Sequence, residues 1–142
     1  MRLILPDTEA VRIARHGEEA YPGECCGLLV GTLDGAGEAY VVARAEPCRN
    51  ARAGEANDRF EVDPRDFLRI DQEARRDGFE VIGVYHSHPD HAPRPSRFDA
   101  QVAFPGFAYL IVAVRSGRAA GMRSWLLGAD GAFDEQVITA EP

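Results

Sequence analysis

Val81-Ile82-Gly83-Val84-Tyr85, continued by His86-Ser87-His88-Pro89-Asp90-His91-Ala92-Pro93-Arg94-Pro95-Ser96-Arg97-Phe98-Asp99, is the stretch on which the reading of this chain turns. The first five residues are β-branched or aromatic apart from one Gly, and they read as a buried strand. If the strand continues through Ser87, His86 and His88 stand at i and i+2 on one face. Their Cα atoms are then about 6.7 Å apart, a span that two imidazoles can close onto one ion. Pro89 cannot donate to a ladder and stops the strand. Asp90 to Pro95 turns the chain, and Ser96-Arg97-Phe98-Asp99 begins a helix. An Asp99 arriving from that helix completes His, His and Asp with one coordination position left for water, the ligand pattern of a catalytic zinc site.

Blander readings exist for each half. His-x-His on a strand can be two polar side chains at a surface. Ser96 and Asp99 also have the spacing of a capping box, which is compatible with a metal-facing role for both. Neither accounts for H-x-H and S-x-x-D together. With 4 His in 142 residues, the full pattern favours a metal site.

Upstream, Tyr21-Pro22-Gly23-Glu24-Cys25-Cys26-Gly27-Leu28-Leu29 places an acid at the start of a second apolar run. With this segment added, the chain resembles the JAMM (MPN-plus) metallopeptidases, whose signature is a distant Glu followed by H-x-H-x7-S-x-x-D. The resemblance covers nearly the whole chain and is closest to the small bacterial single-domain members. It implies an α/β fold with a mixed, curved central β-sheet flanked by about three helices, related in architecture to the cytidine deaminases. It also implies a zinc ion on His86, His88 and Asp99. Glu24 would serve as general base and Ser96 would hydrogen-bond the oxyanion. The deaminase reading itself fails, because H-x-E and P-C-x-x-C are missing.

The implied reaction is zinc-dependent hydrolysis of an amide after the C-terminal Gly-Gly tail of a ubiquitin-like protein, with a sulfur-carrier protein or its conjugate as the expected partner. Gly-Gly suits a narrow groove because its backbone can approach the walls closely. The tail is expected to add main-chain hydrogen bonds to a sheet edge beside the site. A peptidase for cell-wall or phage-tail peptides is the alternative within the same chemistry. A non-catalytic binding module is the alternative outside it, and the presence of every ligand argues against that one.

Composition fits a globular protein: 45% of residues are hydrophobic and 27% charged. One domain over residues 1–142 is expected. A net charge of −7 argues against a nucleic-acid partner. No apolar run is long enough to span a membrane. The first residues break after Leu3-Ile4-Leu5 and do not read as a signal peptide. Three Cys without an export signal suggest a reducing, cytoplasmic setting. Cys25 and Cys26 read as small core residues, and His16 as a packing or surface histidine.

The remaining elements follow from pattern. A strand is expected over 3–5, a helix over about 8–20, strands over 25–30 and 39–45, and a hairpin loop over 31–37. Residues 46–59 read as the longest irregular stretch, followed by a strand at Arg59-Phe60-Glu61-Val62. Asp63-Pro64-Arg65-Asp66 gives an N-cap, a Pro at N1 and an acid at N3, a helix start that Gly78 later closes. Tyr109 to Val114 is expected as a central strand, and Met122–Leu127 with Phe133–Thr139 as a closing antiparallel pair. Trp125 and Tyr109 are expected in the core. Asp90 and His91 are expected to line the cleft.

Overall fold

The computed structural model describes residues 1–35, 38–54 and 59–140. The chain runs β1 (Arg2–Leu5), α1 (Asp7–Ala20), β2 (Cys26–Asp34), β3 (Ala39–Cys48), α2 (Pro64–Arg76) and β4 (Glu80–Pro89). It continues through α3 (Arg97–Val102), β5 (Ala108–Arg115), β6 (Arg118–Leu127) and β7 (Phe133–Ala140). The strands are ordered β1-β3-β2-β4-β5-β6-β7 and close into a barrel. The β4–β5 pair is parallel, as are the pairs of β1 with β3 and with β7, while the rest are antiparallel. The sheet is therefore mixed and carries three helices, as expected, but it closes into a ring where a simple curved sheet was expected. The short β1 makes the difference: Arg2 pairs with Ala39 on one side and Val137 on the other. Closure is partial along individual strands: β1 covers only residues 39–41 of β3, and β2 pairs with β4 only as far as His86. The far ends of β3 and β4 thus each keep one edge that no named strand pairs among the described residues.

Two clusters of buried side chains divide the interior between the helices. Leu3, Ile13, Leu29, Ile82, Tyr85 and Leu110 pack with α1. Leu28, Val30, Phe60, Ile70, Val84 and Tyr109 pack with α2. Helix α2 begins as its sequence dictates: the Asp63 carboxylate accepts from the N–H groups of Arg65 (2.8 Å) and Asp66 (3.3 Å), with Pro64 in the first turn. Its Ile70 is fully buried, a contribution of about 1.5–3 kcal/mol. Strand β4 carries an extra residue against β2: Leu29 pairs with Gly83 and Val30 with Val81, so Ile82 has no opposite number. This β-bulge turns Val84, His86 and His88 toward the α2 side of the sheet.

Several local expectations need correcting. Strand β3 runs on to Cys48, three residues past its expected end. Pro47 is tolerated there because β1 pairs only with residues 39–41, so its missing N–H faces no strand. The expected irregular stretch therefore starts at 49, and its residues 55–58 lie outside the described set, as do 36 and 37 of the expected hairpin loop. The strand expected at 59–62 reduces to one bridge between Val62 and Asn50. Trp125 is half-buried and not a core residue, whereas Tyr109 is buried. The three cysteines are free and buried, and burial pushes the Cys25 and Cys48 thiols up to about 12. His16 is a packing residue, its Nδ1 2.6 Å from the Tyr85 hydroxyl.

Candidate metal centre

Strand β4 delivers His86 and His88 to one face, and both are buried. Pairing of His86 with Cys26 brings the start of β2 alongside them. Asp99 arrives from α3 as the third residue of a capping box. The Ser96 hydroxyl accepts from the Asp99 N–H at 3.0 Å, and the Ser96 N–H donates to Asp99 Oδ2 at 2.8 Å. The cap thereby aims the carboxylate. Asp99 Oδ2 lies 3.0 Å from His88 Nε2 and 3.3 Å from His86 Nε2, and the two Nε2 atoms are 3.3 Å apart.

Donor chemistry shows what this triangle fits. His88 Nδ1–H donates to the Ala92 carbonyl at 2.9 Å, which leaves the Nε2 lone pair facing inward. His86 Nδ1 has no hydrogen-bond partner among the described residues, and its ring is held by stacking on Phe60 at 4.2 Å. Two imidazole nitrogens and a carboxylate oxygen thus converge within 3.3 Å of one another, a donor set suited to a cation. A tetrahedral zinc with N and O ligands near 2.0–2.1 Å sets its ligand atoms about 3.3 Å apart. The three observed separations match that edge length, so the residues fit zinc.

Burial lowers the pKa of His86, offset only in part by the Asp99 carboxylate. Burial also pulls His88 down, but its hydrogen bonds to Asp99 and Ala92 outweigh this and leave it above its ordinary value. For Asp99 burial pushes upward, and the hydrogen bonds of His86 and His88 overcome it, holding the carboxyl well below the usual carboxylate range. The group is thus an anion awaiting positive charge.

Glu24 is buried just ahead of β2 and borders the same cleft as His88 and Ser96. Its position is fixed through its neighbours. The Cys25 N–H donates to Ser87 Oγ at 2.8 Å, and the Ser87 N–H returns a bond to the Cys25 carbonyl at 3.2 Å. Asn50 Nδ2 donates to the Glu24 carbonyl at 3.1 Å, while Asn50 Oδ1 ties down the N–H groups of Arg52 and Glu61. Ser96 is exposed, and its oxygen already serves Asp99 as acceptor, so its hydroxyl proton is available to a substrate atom. The cleft has a volume of about 460 Å³. At Phe98 and Gln101 it meets an apolar hollow of about 590 Å³, lined by five phenylalanines: Phe60, Phe67, Phe98, Phe104 and Phe107.

The structure brings Glu24, His86, His88, Ser96 and Asp99 together and leaves Asp90 and His91 out of the ligand group. His91 lines the cleft as expected, but Asp90 does not. The Asp90 side chain is turned away to accept from the Ser116 N–H (2.8 Å) and the Tyr21 hydroxyl (2.6 Å), latching the loop. Trp125 adds a second latch, donating to the Pro93 carbonyl at 3.0 Å. Sequence reasoning passed over Ser87, Asn50 and Phe60. Strand alternation signals Ser87, since the residue between two ligands points to the opposite face. Nothing local signals Asn50.

Residues 8–128 match the family described as prokaryotic homologs of the JAB domain. A desampylase of Haloferax volcanii is 38% identical over 91 residues, 63% of this chain and 62% of the relative. A histone deubiquitinase of Branchiostoma floridae is 37% identical over 94 residues, 66% of this chain and 11% of the relative. The chain thus spans less than two thirds of the length of either. Among solved structures, a protein from Desulfitobacterium hafniense superposes with a TM-score of 0.84 at 31% identity, covering 98% of this chain and 92% of the other. A JAB1/MPN domain protein from Archaeoglobus fulgidus gives 0.58 at 20% identity, covering 97% and 98%, a likeness of fold. No described helix is long and apolar enough to cross a membrane.

Proposed function

The chain belongs to the prokaryotic JAB-domain family, homologous to archaeal desampylase and to MPN deubiquitinases, and on that premise we propose that it is a zinc-dependent amide hydrolase. Its substrate is the C-terminal Gly-Gly tail of a ubiquitin-like protein of the sulfur-carrier kind, joined through an amide to a leaving group. The observation that carries the reading is the convergence of Glu24, His88 and Ser96 on one cleft backed by His86 and Asp99. Desampylase and deubiquitinase relatives support the amide chemistry. The zinc would be held by His86, His88 and Asp99, and when bound it polarises the scissile carbonyl and makes water acidic enough to attack near neutral pH.

The chain's own residues do the rest. Glu24 takes a proton from the attacking water and returns it to the leaving nitrogen as the C–N bond breaks. The Ser96 hydroxyl donates to the oxygen on which charge develops. The Phe60 ring and the Ala92 carbonyl hold the two imidazoles in place, and the Ser87–Cys25 pair holds Glu24 over them. The products are a tail ending in a free carboxylate and a released amine, with one water consumed.

The test is Glu24→Gln in zinc-loaded protein, assayed on a sulfur-carrier protein extended beyond its Gly-Gly tail by one amino acid. Glutamine keeps the size of the side chain but cannot accept the proton. The kcat should fall about a hundred- to ten-thousand-fold, since that is the usual contribution of a general base. Zinc content and the fold should be unchanged. Near wild-type turnover would remove Glu24 from the mechanism, and an uncut conjugate in wild type would remove the substrate.

A further inference from the structure

The charge lining the cleft runs against the charge of the protein. The chain has 23 acidic residues against 16 basic ones, a net −7. Yet Arg59, Arg94 and Arg97 border the cleft, and Glu24 is the one carboxylate that lines it among the described residues. Two of these arginines flank Ser96, at positions −2 and +1 from it. They are carried on a segment fixed at several points. The Ala92 carbonyl accepts from His88 and from the Arg94 N–H, the Pro93 carbonyl accepts from Trp125, and Ser96 caps α3. The carboxylate whose field reaches Arg94 is Glu135, and Arg123 already takes both of its oxygens. No carboxylate among the described residues forms an ion pair with Arg94 or Arg97. The cleft volume suits one or a few residues of a ligand, not a folded partner.

We propose that Arg94 and Arg97 bind the free α-carboxylate of the residue released. The site then prefers tails extended by a C-terminal amino acid over the same tails ending in an amide or joined to a lysine side chain. A guanidinium matches a carboxylate with paired, charge-assisted hydrogen bonds. Arg94 and Arg97 line the same cleft as Ser96, so such a contact lies next to the group proposed to hold the developing oxyanion. This inference rests on the hydrolase reading above and adds the chemistry of the leaving group to it.

The experiment uses the zinc-loaded full chain and three peptides. Each carries a tail ending in Gly-Gly, followed by alanine with a free carboxylate, alanine carboxamide, or a lysine linked through its side chain. Hydrogen bonds to charged groups contribute enough for wild type to favour the free acid over the carboxamide by about ten- to a hundredfold in kcat/KM, mostly in KM. The preference should shrink as salt screens the charges. In the double variant Arg94→Gln/Arg97→Gln, both positions being exposed, the ratio should collapse toward one. Titration calorimetry of the acid and carboxamide peptides into Glu24→Gln protein should show the same gap in Kd without turnover. Equal cleavage of acid and carboxamide by wild type overturns this inference and leaves the hydrolase reading standing. A preference that survives in the double variant overturns the assignment to these arginines. Cleavage of none of the three overturns the hydrolase reading and this inference with it.

Discussion

Ser96 has one role in the structure and a second in the proposed mechanism, and substitutions can separate them. Its oxygen accepts from the Asp99 N–H at 3.0 Å, capping α3. Ser96 also lines the cleft, where the proposed mechanism uses its hydroxyl proton. Ser96→Ala removes both. Loss of an N-cap acceptor costs about 1 kcal/mol, which in a chain of this size lowers Tm by roughly 3 to 4 °C. Loss of an oxyanion donor costs about a hundred- to a thousandfold in kcat. Glycine forms an N-cap only a few tenths of a kcal/mol worse than serine, so Ser96→Gly should hold Tm within roughly 1 °C while losing the donor. Ser96→Thr keeps the hydroxyl and should preserve both. Calorimetry gives Tm, steady-state cleavage of a Gly-Gly conjugate gives kcat, and metal analysis checks that Asp99 still holds its place. Both Ala and Gly variants should be slow, and only the Ala variant should be less stable. If kcat instead follows Tm, with the Gly variant nearly as active as wild type, Ser96 is a helix cap and nothing more.

Three further outcomes are expected. His88→Ala should lose zinc, as read by elemental analysis after dialysis, and full stoichiometry in the variant would sink the ligand assignment. Ser87→Ala leaves the buried Cys25 N–H without its acceptor, which should cost about 1–3 kcal/mol of stability in denaturant titrations. The same variant should lower kcat with zinc retained, through displacement of Glu24, and unchanged stability and rate would show that Ser87 positions nothing. Asp90 is held below the usual carboxylate range by the Ser116 N–H and then by the Tyr21 hydroxyl. Its contribution is therefore full above a pH of about 4 and is lost as pH falls through the lowered folded value. Asp90→Asn should flatten that part of the acid branch of Tm against pH, and superimposable acid branches would mean the latch stabilises nothing.

The site was legible where its chemistry depends on short-range spacing. Two histidines at i and i+2 need only a strand to share a face, and a serine three residues before an acid needs only a helix start to form a cap. Asp63-Pro64 marked the start of α2 for the same reason, since its partners are the next N–H groups along the chain. Glu24 was legible through resemblance alone, because what brings it to His88 is the pairing of β2 with β4, a contact across about 60 residues. Closure of the barrel was not legible. A four-residue β1 has no pattern that distinguishes one partner strand from two. Asp90 was misjudged because a polar loop residue beside ligands looks like a cleft residue until its bonds to Ser116 and Tyr21 are seen.

The decisive feature that the sequence hides is the face on which the histidines stand. Alternation places His86 and His88 together but says nothing of which side of the sheet they occupy. Counting by twos from Val81, which packs on the α2 side, an unbroken strand would put Tyr85 and Ser87 on that side. The histidines would then project into the opposite cluster with α1, away from Asp99 and Phe60. The unpaired Ile82 reverses the count, sending Val84, His86 and His88 toward α2 and Tyr85 into the α1 cluster. Gly27, opposite Tyr85, makes room for that ring: a side chain there would collide with it. Ser87 then faces away from the metal ligands, and from there it holds Cys25 and fixes Glu24 beside the ligands. One extra residue in a strand thus turns both histidines to the side where Asp99 and Phe60 lie and, through the serine between them, places the proposed base.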